Sequence, residues 1–471
     1  MPPHSNQRRI SRDVNFTRWL FRPYLLLLFL IPLPLGSNRP IFWSLMVAGI
    51  ALIMLVWVFG LSVGVARWPR AIKRARWVLI PLGLFVFWGG VQVLVPLIGG
   101  RWSMQSRPEA PPTGFFLGTV DWSGSADSLF LSVGFFLLAV LTIVLVRSRR
   151  RALLVLYTLV LAGLLQAIFG SLMTLSGVEF EWLDYRQLGR ANAHGTFINR
   201  NHYANLLVLA LSAGVGLLLA QMDLRGAPNI RQRLRRLLQA ALGPKARLRV
   251  YMIIMVIALV LTRSRMGNAA FLASITLVGL FALWRQRKPS RPLMMLVISV
   301  LVIDIFMVGT WFGVEQVIDR VQQTAQGDGW QVNEKVRLDT SRESLDMIRK
   351  LPLTGYGGGT FYTVYPSWRG ADQQFMDHAH NDYLEFVVEY GLIGGVLLAW
   401  FLLVCLFRAA RGLQNRDQAK QFGICFASLM AMVAMMIHAT VDFSLQIPAN
   451  AGWFVVLGLL PFTFDRSGER S

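Results

Sequence analysis

Apolar stretches of about 20 residues recur along the whole chain, and each can cross the roughly 30 Å hydrocarbon core of a bilayer as a helix. Short polar segments separate most of them. The predicted spans are 20–36, 40–66, 77–98, 128–147, 152–177, 201–222, 250–262, 266–284, 293–312, 383–407, 421–441 and 448–464. The pattern therefore predicts an all-α polytopic membrane protein with about twelve transmembrane helices.

One long polar segment interrupts this pattern between the ninth and tenth spans. At about 70 residues it is too long for a bare connector, and its residues 332–350 mix apolar and charged positions as an amphipathic helix at a membrane surface does. The predicted regions are a basic cytoplasmic tail (1–19), nine membrane helices (20–312), a large loop (313–382), three further helices (383–464) and a cytoplasmic tail (465–471).

Composition agrees with a membrane protein, since 54% of residues are hydrophobic and only 15% are charged. The net charge of +22 raises the question of nucleic-acid binding. However, most of the basic residues lie in short loops on one side of the predicted bilayer, such as 67–76 and 231–236. This is the bias of cytoplasmic loops, so we predict both termini in the cytoplasm, contact with the lipid bilayer and no nucleic-acid partner.

The segment 378–395 places two histidines directly before a span. His378 and His380 precede Asn381, which can cap the helix, and imidazole suits proton transfer near neutral pH. A His-x-His pair can also bind a metal, but no third ligand lies close along the chain. We therefore favour a catalytic or substrate-orienting role, over a solvated helix start and over a metal site.

Two further segments with histidine or arginine enter spans from the same predicted side. Residues 189–204 contain His194, Arg200, Asn201 and His202 among small residues, which predicts a concavity rich in hydrogen-bond donors. Snorkelling arginines and polar caps are the alternative interpretation. As a group these residues favour substrate binding.

The sequence LTRSRMGNAA (261–270) joins two spans without a loop, so Arg263 and Arg265 are predicted at the tip of a helical hairpin. An arginine in a membrane usually faces a cavity or an anionic partner, and its guanidinium matches phosphate oxygens. The amphipathic segment adds Arg337 and Arg342. The nearby GYGGG (355–359) lacks the residues of a phosphate-binding loop, so we predict a flexible turn there.

Four segments together resemble the O-antigen polymerase and ligase superfamily of bacterial membrane glycosyltransferases. They are GTFINRNHYA (195–204), LTRSRMG (261–267), RLDTSRESLDMIRKLPLTGYGGGTF (337–361) and HAHNDYLEFVVEYGLIGG (378–395). The resemblance implies a GT-C-like fold, a periplasmic active face in the inner membrane, and a glycan donor carried on undecaprenyl pyrophosphate. It also implies a metal-independent inverting transfer without a cofactor.

The resemblance also implies roles for particular residues. His380 corresponds to the catalytic base, while Arg265 and Arg337 correspond to the arginines that hold the pyrophosphate. Arg263, Arg342 and His378 compete with them for these roles. The acceptor stays open among another lipid-linked repeat unit, lipid A-core (a ligase) and a protein side chain. We favour the first, a polymerase of exopolysaccharide or O-antigen repeat units. A chain-length regulator is a candidate partner.

A transporter or flippase is the rival class, because twelve spans with both ends inside is also a common transporter plan. Transporters usually contain internal repeats, and the sequence contains no clear repeat. A large external loop with histidine and arginine also suits an enzyme better than a transporter.

Overall fold

The computed structural model describes residues 3–98, 116–176, 192–221, 244–286, 329–370, 376–414 and 418–464, together with positions 294 and 298. Within these ranges the chain is helical and forms no β-strand. The thirteen described helices are α1 (Pro3–Leu30), α2 (Pro40–Ser62), α3 (Arg70–Ile98), α4 (Trp122–Leu145), α5 (Arg149–Ser176), α6 (Arg200–Gln221), α7 (Pro244–Leu261), α8 (Arg265–Arg285), α9 (Gly329–Lys350), α10 (Phe361–Val364), α11 (Asp382–Gly412), α12 (Ala419–His438) and α13 (Pro448–Leu459).

Eight of the described helices are long and apolar enough to cross a membrane, namely α2 to α6, α8, α11 and α12. Each coincides with a predicted span. The predicted spans 20–36, 250–262 and 448–464 coincide with α1, α7 and α13, while 293–312 falls outside the described ranges. The prediction of an all-α polytopic membrane protein is confirmed, and the number of twelve spans stays a prediction.

The two central helices, α6 and α12, are almost entirely buried by their neighbours. Small residues allow their backbones to approach closely, because a Cβ on Gly216 would lie 2.5 Å from the Gly423 carbonyl oxygen and 2.5 Å from Ala427 Cβ. Close approach through small residues is how membrane helices gain van der Waals contact in the absence of a hydrophobic driving force. Around this pair pack α5, α7, α8, α11 and α13.

The helix α1 runs through the predicted basic tail into the first span. Its Asp13 accepts a hydrogen bond of 2.5 Å from Arg147 and another of 3.1 Å from the Arg67 backbone N–H. These bonds tie α1 to the α2–α3 and α4–α5 connections. Residues 313–328 and 371–375 of the predicted large loop, and the tail 465–471, lie outside the described ranges.

The described part of the large loop consists of α9 and a compact segment that follows it. The helix α9 covers the residues for which the sequence predicts an amphipathic helix, and it packs against α11. A small apolar core holds this region together, formed by Met347, Leu351, Tyr356, Phe361, Val364, Tyr365, Ala379 and Val388.

The glycine-rich segment 355–359 is mostly buried, so the prediction of a flexible turn is wrong. Gln92 donates hydrogen bonds to the Thr354 and Glu389 carbonyls, and Ser125 donates to the Gly358 carbonyl at 2.7 Å. Because glycine has no side chain, neighbouring groups can approach this closely. A Cβ on Gly358, for example, would lie 2.3 Å from the Tyr390 hydroxyl. The glycines therefore serve tight packing rather than mobility.

The helix α11 is interrupted at Gly391, where φ is +65° and ψ is −175°. The interruption frees backbone groups of α11 for the segment after α9. Leu392 N donates to the Pro352 carbonyl at 2.8 Å, Tyr356 N to the Val388 carbonyl at 3.0 Å, and Gly357 N to the Glu389 carbonyl at 2.9 Å. The large loop is thus joined to α11 by main-chain hydrogen bonds.

Replacing Gly391 by alanine is expected to lower the melting temperature of the detergent-solubilised protein. These backbone angles are nearly restricted to glycine, and an ordinary residue there costs about 1–3 kcal/mol. The new Cβ would also lie 2.1 Å from the Leu353 carbonyl oxygen. Gly90→Ala on α3 is the matched control, because nothing lies within 4 Å of its Cβ position. Equal melting temperatures for the two variants would contradict the role of Gly391.

Candidate functional site

The N-termini of α6 and α8 lie side by side at one end of the bundle. Asn199 Oδ1 accepts a hydrogen bond from Asn201 N at 2.8 Å at the start of α6, and Ser264 caps α8 by accepting from Gly267 N at 3.2 Å. The two helices touch, because a Cβ on Gly267 would lie 2.6 Å from Ala204 Cβ. Helix N-termini favour anions through their free N–H groups and their dipoles.

Arginines lie at both of these N-termini. Arg200 is the first residue of α6 and Arg265 the first residue of α8, while Arg263 lies in the tight turn between α7 and α8. The turn holds Arg263 at a φ of +50°, which few residues other than glycine adopt. The predicted hairpin is therefore present, and its tip presents both arginines.

A fourth arginine comes from α9. The positive charges of Arg263, Arg265 and Arg337 all act on Arg200, so residues from three distant segments share one region. We call these four residues the arginine cluster. All four side chains are exposed. Because like charges repel, their gathering at two helix N-termini indicates a site for a strongly anionic group.

Arg342 lies on α9 as well, but its contacts differ from those of Arg337. It forms an exposed ion pair with Asp339, with 3.6 Å between Nη1 and Oδ1. An exposed pair of this kind on one helix contributes little. The structure therefore favours Arg337 over Arg342 as the α9 residue of the site.

Three histidines surround the ring of Phe443, in the segment between α12 and α13. His378 stacks on it at a centroid distance of 3.9 Å, while His202 and His380 approach its plane edge-on at 4.5 and 5.0 Å. We call His202, His378 and His380 the histidine cluster. The residues come from α6 and from the loop before α11, and they meet only through folding.

The carboxylate of Asp442 is the shared neighbour of two of these histidines. Its Oδ1 lies 3.5 Å from His202 Nε2 and 3.5 Å from His380 Nδ1. Burial alone would raise the pKa of Asp442, but its contacts with His202 and His380 hold that pKa well below the usual range. Asp442 is therefore an anion that faces Nδ1 of His380 and leaves Nε2 of that ring for a substrate.

His378 has a different partner. Its Nδ1 donates a hydrogen bond of 2.6 Å to Glu385, whose other oxygen accepts from Ala379 N at 2.9 Å. Burial would lower the pKa of His378, but the charge and hydrogen bond of Glu385 outweigh it and raise the pKa to about 9. His378 is thus a cation at neutral pH and is unsuited to accept a proton, which favours His380 as the base.

Other residues that the sequence singles out have structural partners. His194 Nδ1 donates to the Phe197 carbonyl at 3.0 Å within its own loop, and burial lowers the pKa of His194. Asn381 caps α11 by accepting from Leu384 N, and its amide donates to the Thr440 carbonyl at 3.1 Å. Asn201 adjoins the arginine cluster, at the start of α6. His194 and Asn381 therefore stabilise the local structure around the site rather than face it.

An apolar cavity of about 400 Å³ reaches the start of α11. Side chains of α3, α4, α11 and α13 line it, among them Phe85, Phe136, Phe386 and Phe454. It extends to Asp382, two residues after His380, whose Oδ2 accepts a hydrogen bond from Leu445 N. An apolar space with a polar end suits an amphiphilic ligand.

Asp442 and Phe443 are central to this geometry, and the sequence analysis missed both. They lie in a short polar break, VDFSLQIP (441–448), between two apolar stretches. A carboxylate in such a break, close to His438, is the signal that could have indicated Asp442. Among the described residues, no group of histidine, cysteine and acidic side chains has an arrangement that could hold a metal ion.

Comparison with known protein families matches part of the chain. Residues 250–399 match the family model Wzy_C, O-antigen ligase. The match covers Arg263, Arg265, Arg337, His378 and His380, whereas α6 and Asp442 lie outside it. No curated protein matches the chain. This O-antigen ligase domain at residues 250–399 supports the resemblance of the chain to the superfamily of O-antigen ligases and polymerases.

Proposed function

We propose that the protein is an inner-membrane glycosyltransferase that polymerises lipid-linked repeat units at the periplasmic face. The donor in this proposal is a glycan on undecaprenyl pyrophosphate, and the acceptor is a sugar hydroxyl of a second repeat unit. The observation that carries the proposal is the first turn of α6, where Arg200 belongs to the arginine cluster and His202 to the histidine cluster. One turn of helix thus contributes both to the proposed anion site and to the group of histidines that contains the proposed base.

The proposed reaction assigns one task to each cluster. His380 Nε2 accepts the proton of the acceptor hydroxyl, and Asp442 stabilises the imidazolium that forms. The hydroxyl oxygen attacks the anomeric carbon from the face opposite the pyrophosphate, so the configuration inverts. The arginine cluster stabilises the negative charge that develops on the leaving pyrophosphate. The proposal requires neither a metal nor a cofactor at the transfer step.

The apolar cavity supports a lipid-linked donor. A polyprenyl chain that enters between α3, α4, α11 and α13 would stay within apolar surroundings while its pyrophosphate reaches the polar end of the bundle. An apolar cavity that reaches the start of α11, two residues after His380, favours an enzyme of lipid-linked glycans over a transporter of free solutes. A chain-length regulator would be a further partner of the polymerase.

The proposal is tested by the lipid-linked glycan pool of a strain that lacks this protein. We expect single lipid-linked repeat units to accumulate on the periplasmic face, with restoration by the wild-type gene but not by a His380→Gln variant. Long polymer retained on the lipid would instead indicate a ligase to lipid A-core or a protein transferase. Repeat units trapped on the cytoplasmic face would indicate a flippase and contradict the proposal.

A further inference from the structure

The Asp442 carboxylate faces two imidazoles rather than one. The same oxygen, Oδ1, lies 3.5 Å from ring nitrogens of His202 and His380, and it also accepts a hydrogen bond from Phe443 N at 2.9 Å. A single histidine partner would be sufficient to orient a base. The second imidazole therefore needs its own explanation.

His202 is enclosed on every side. Its side chain is only 4% exposed, its ring edge packs on Phe443, and its backbone carbonyl accepts a hydrogen bond of 3.0 Å from Asn450. By comparison, the His380 side chain is 15% exposed. A substrate can therefore reach His380 more readily than His202.

The buried Nε2 of His202 has no hydrogen-bond partner among the described residues, and neither has Nδ1 of His380. Buried polar atoms rarely stay without partners, and catalytic hydrogen bonds often become shorter only when substrate is bound. The Asp442 carboxylate is the acidic group in ion-pair range of both nitrogens. The arrangement thus indicates hydrogen bonds from both rings to one carboxylate during turnover.

We infer that His202 is a positioning residue, which holds the Asp442 carboxylate for His380 and does not touch the donor. This inference rests on the proposed role of His380 as the base. In this arrangement His202 Nε2–H donates to Oδ1 and shares the negative charge of Asp442. When His202 no longer donates this hydrogen bond, the whole negative charge of Asp442 acts on His380. His380 then takes up a proton at higher pH.

Other titratable groups also surround His380 and stay constant in the comparison. Besides His202 and Asp442 themselves, they are His378, Asp382 and Glu385, on its own segment and at the start of α11, and His438, at the end of α12. A test of His202 therefore has to change the hydrogen-bond donor while leaving the volume and these neighbours in place.

Two substitutions separate the donor from the volume. His202→Gln keeps an N–H donor at the Nε2 position, whereas His202→Phe keeps the ring volume and the contact with Phe443 but has no donor. In His202→Phe we expect the acidic limb of the pH profile of the transfer rate to move up by about one pH unit. A shift of this size is expected when one hydrogen bond to a charged group is lost. The limb should stay in place in His202→Gln, and the KM for the lipid-linked donor should change in neither variant.

A second measurement does not require transfer activity. The rate of labelling of His380 by diethylpyrocarbonate, resolved from His378 by fragment mass spectrometry, reports its protonation as pH changes. We expect the same upward shift of the labelling midpoint in His202→Phe and not in His202→Gln. Equal midpoints in the two variants, or a raised KM for the donor in both, would overturn the inference. If the wild-type protein showed no transfer activity while the labelling midpoint still moved up in His202→Phe, the proposed function would instead be contradicted.

Discussion

His380→Gln is expected to reduce glycan transfer by about 10²–10⁴-fold, which is the usual contribution of a general base. The glutamine fills a similar space but cannot accept the proton of the acceptor hydroxyl. The Asp442 carboxylate would then lie beside a neutral amide. The measurement is the initial rate of polymer formation with purified protein and a lipid-linked repeat unit, with the melting temperature as a check on folding.

The neighbouring histidine provides the control. His378→Gln removes a cation held by Glu385 rather than a base, so the variant should stay clearly more active than His380→Gln. Its rate should still fall at low pH, because the proposed base, His380, is unchanged. If His380→Gln formed polymer at the wild-type rate, His380 would be excluded as the base.

Arg265→Gln and Arg337→Gln are each expected to lower the rate by about 10²–10³-fold, the effect of removing one group that stabilises developing charge. These side chains come from α8 and α9, and the positive charges of both act on Arg200. Replacement by lysine should restore only part of the rate, since an ammonium lacks the fork of donors that matches phosphate oxygens. Single-turnover rates with the lipid-linked donor measure the chemical step.

Arg342→Gln is the matched control for Arg337→Gln, because both residues lie on α9. Its guanidinium is exposed and paired with Asp339, so the rate should change less than about twofold, as for most surface substitutions. If Arg342→Gln lowered the rate as much as Arg337→Gln, the choice of Arg337 over Arg342 as the α9 residue of the site would be wrong.

The positions of the helices could largely be predicted from the sequence, because an apolar run of the right length has few alternatives in a bilayer. The hairpin with Arg263 and Arg265 at its tip also followed from local spacing. The interruption at Gly391 did not, since an isolated glycine in an apolar helix is common and its φ is determined by the docking segment. The same long-range contacts bury the glycine-rich turn, which the sequence alone predicts to be flexible.

The candidate site was predictable in its parts but not in its grouping. Motifs indicated Arg200, Arg265, Arg337 and His380 individually, because arginine and histidine are unusual at membrane boundaries. That Arg200 and His202 would face different clusters depends on the rotation of α6, which periodicity alone does not define for a helix apolar on most sides. Asp442 lies in an otherwise ordinary connection, and only the folded chain brings it to His380.

The main-chain hydrogen bonds at Gly391 connect the helix that begins beside His380 to the segment that follows Arg337. In the proposed reaction, the distance between the base and the leaving group would thereby depend on peptide groups, which are the same whatever side chains surround them. Loops elsewhere on the protein could then diverge during evolution without altering that distance. A scaffold of this kind would allow related proteins to exchange one glycan for another while they keep a single chemical step.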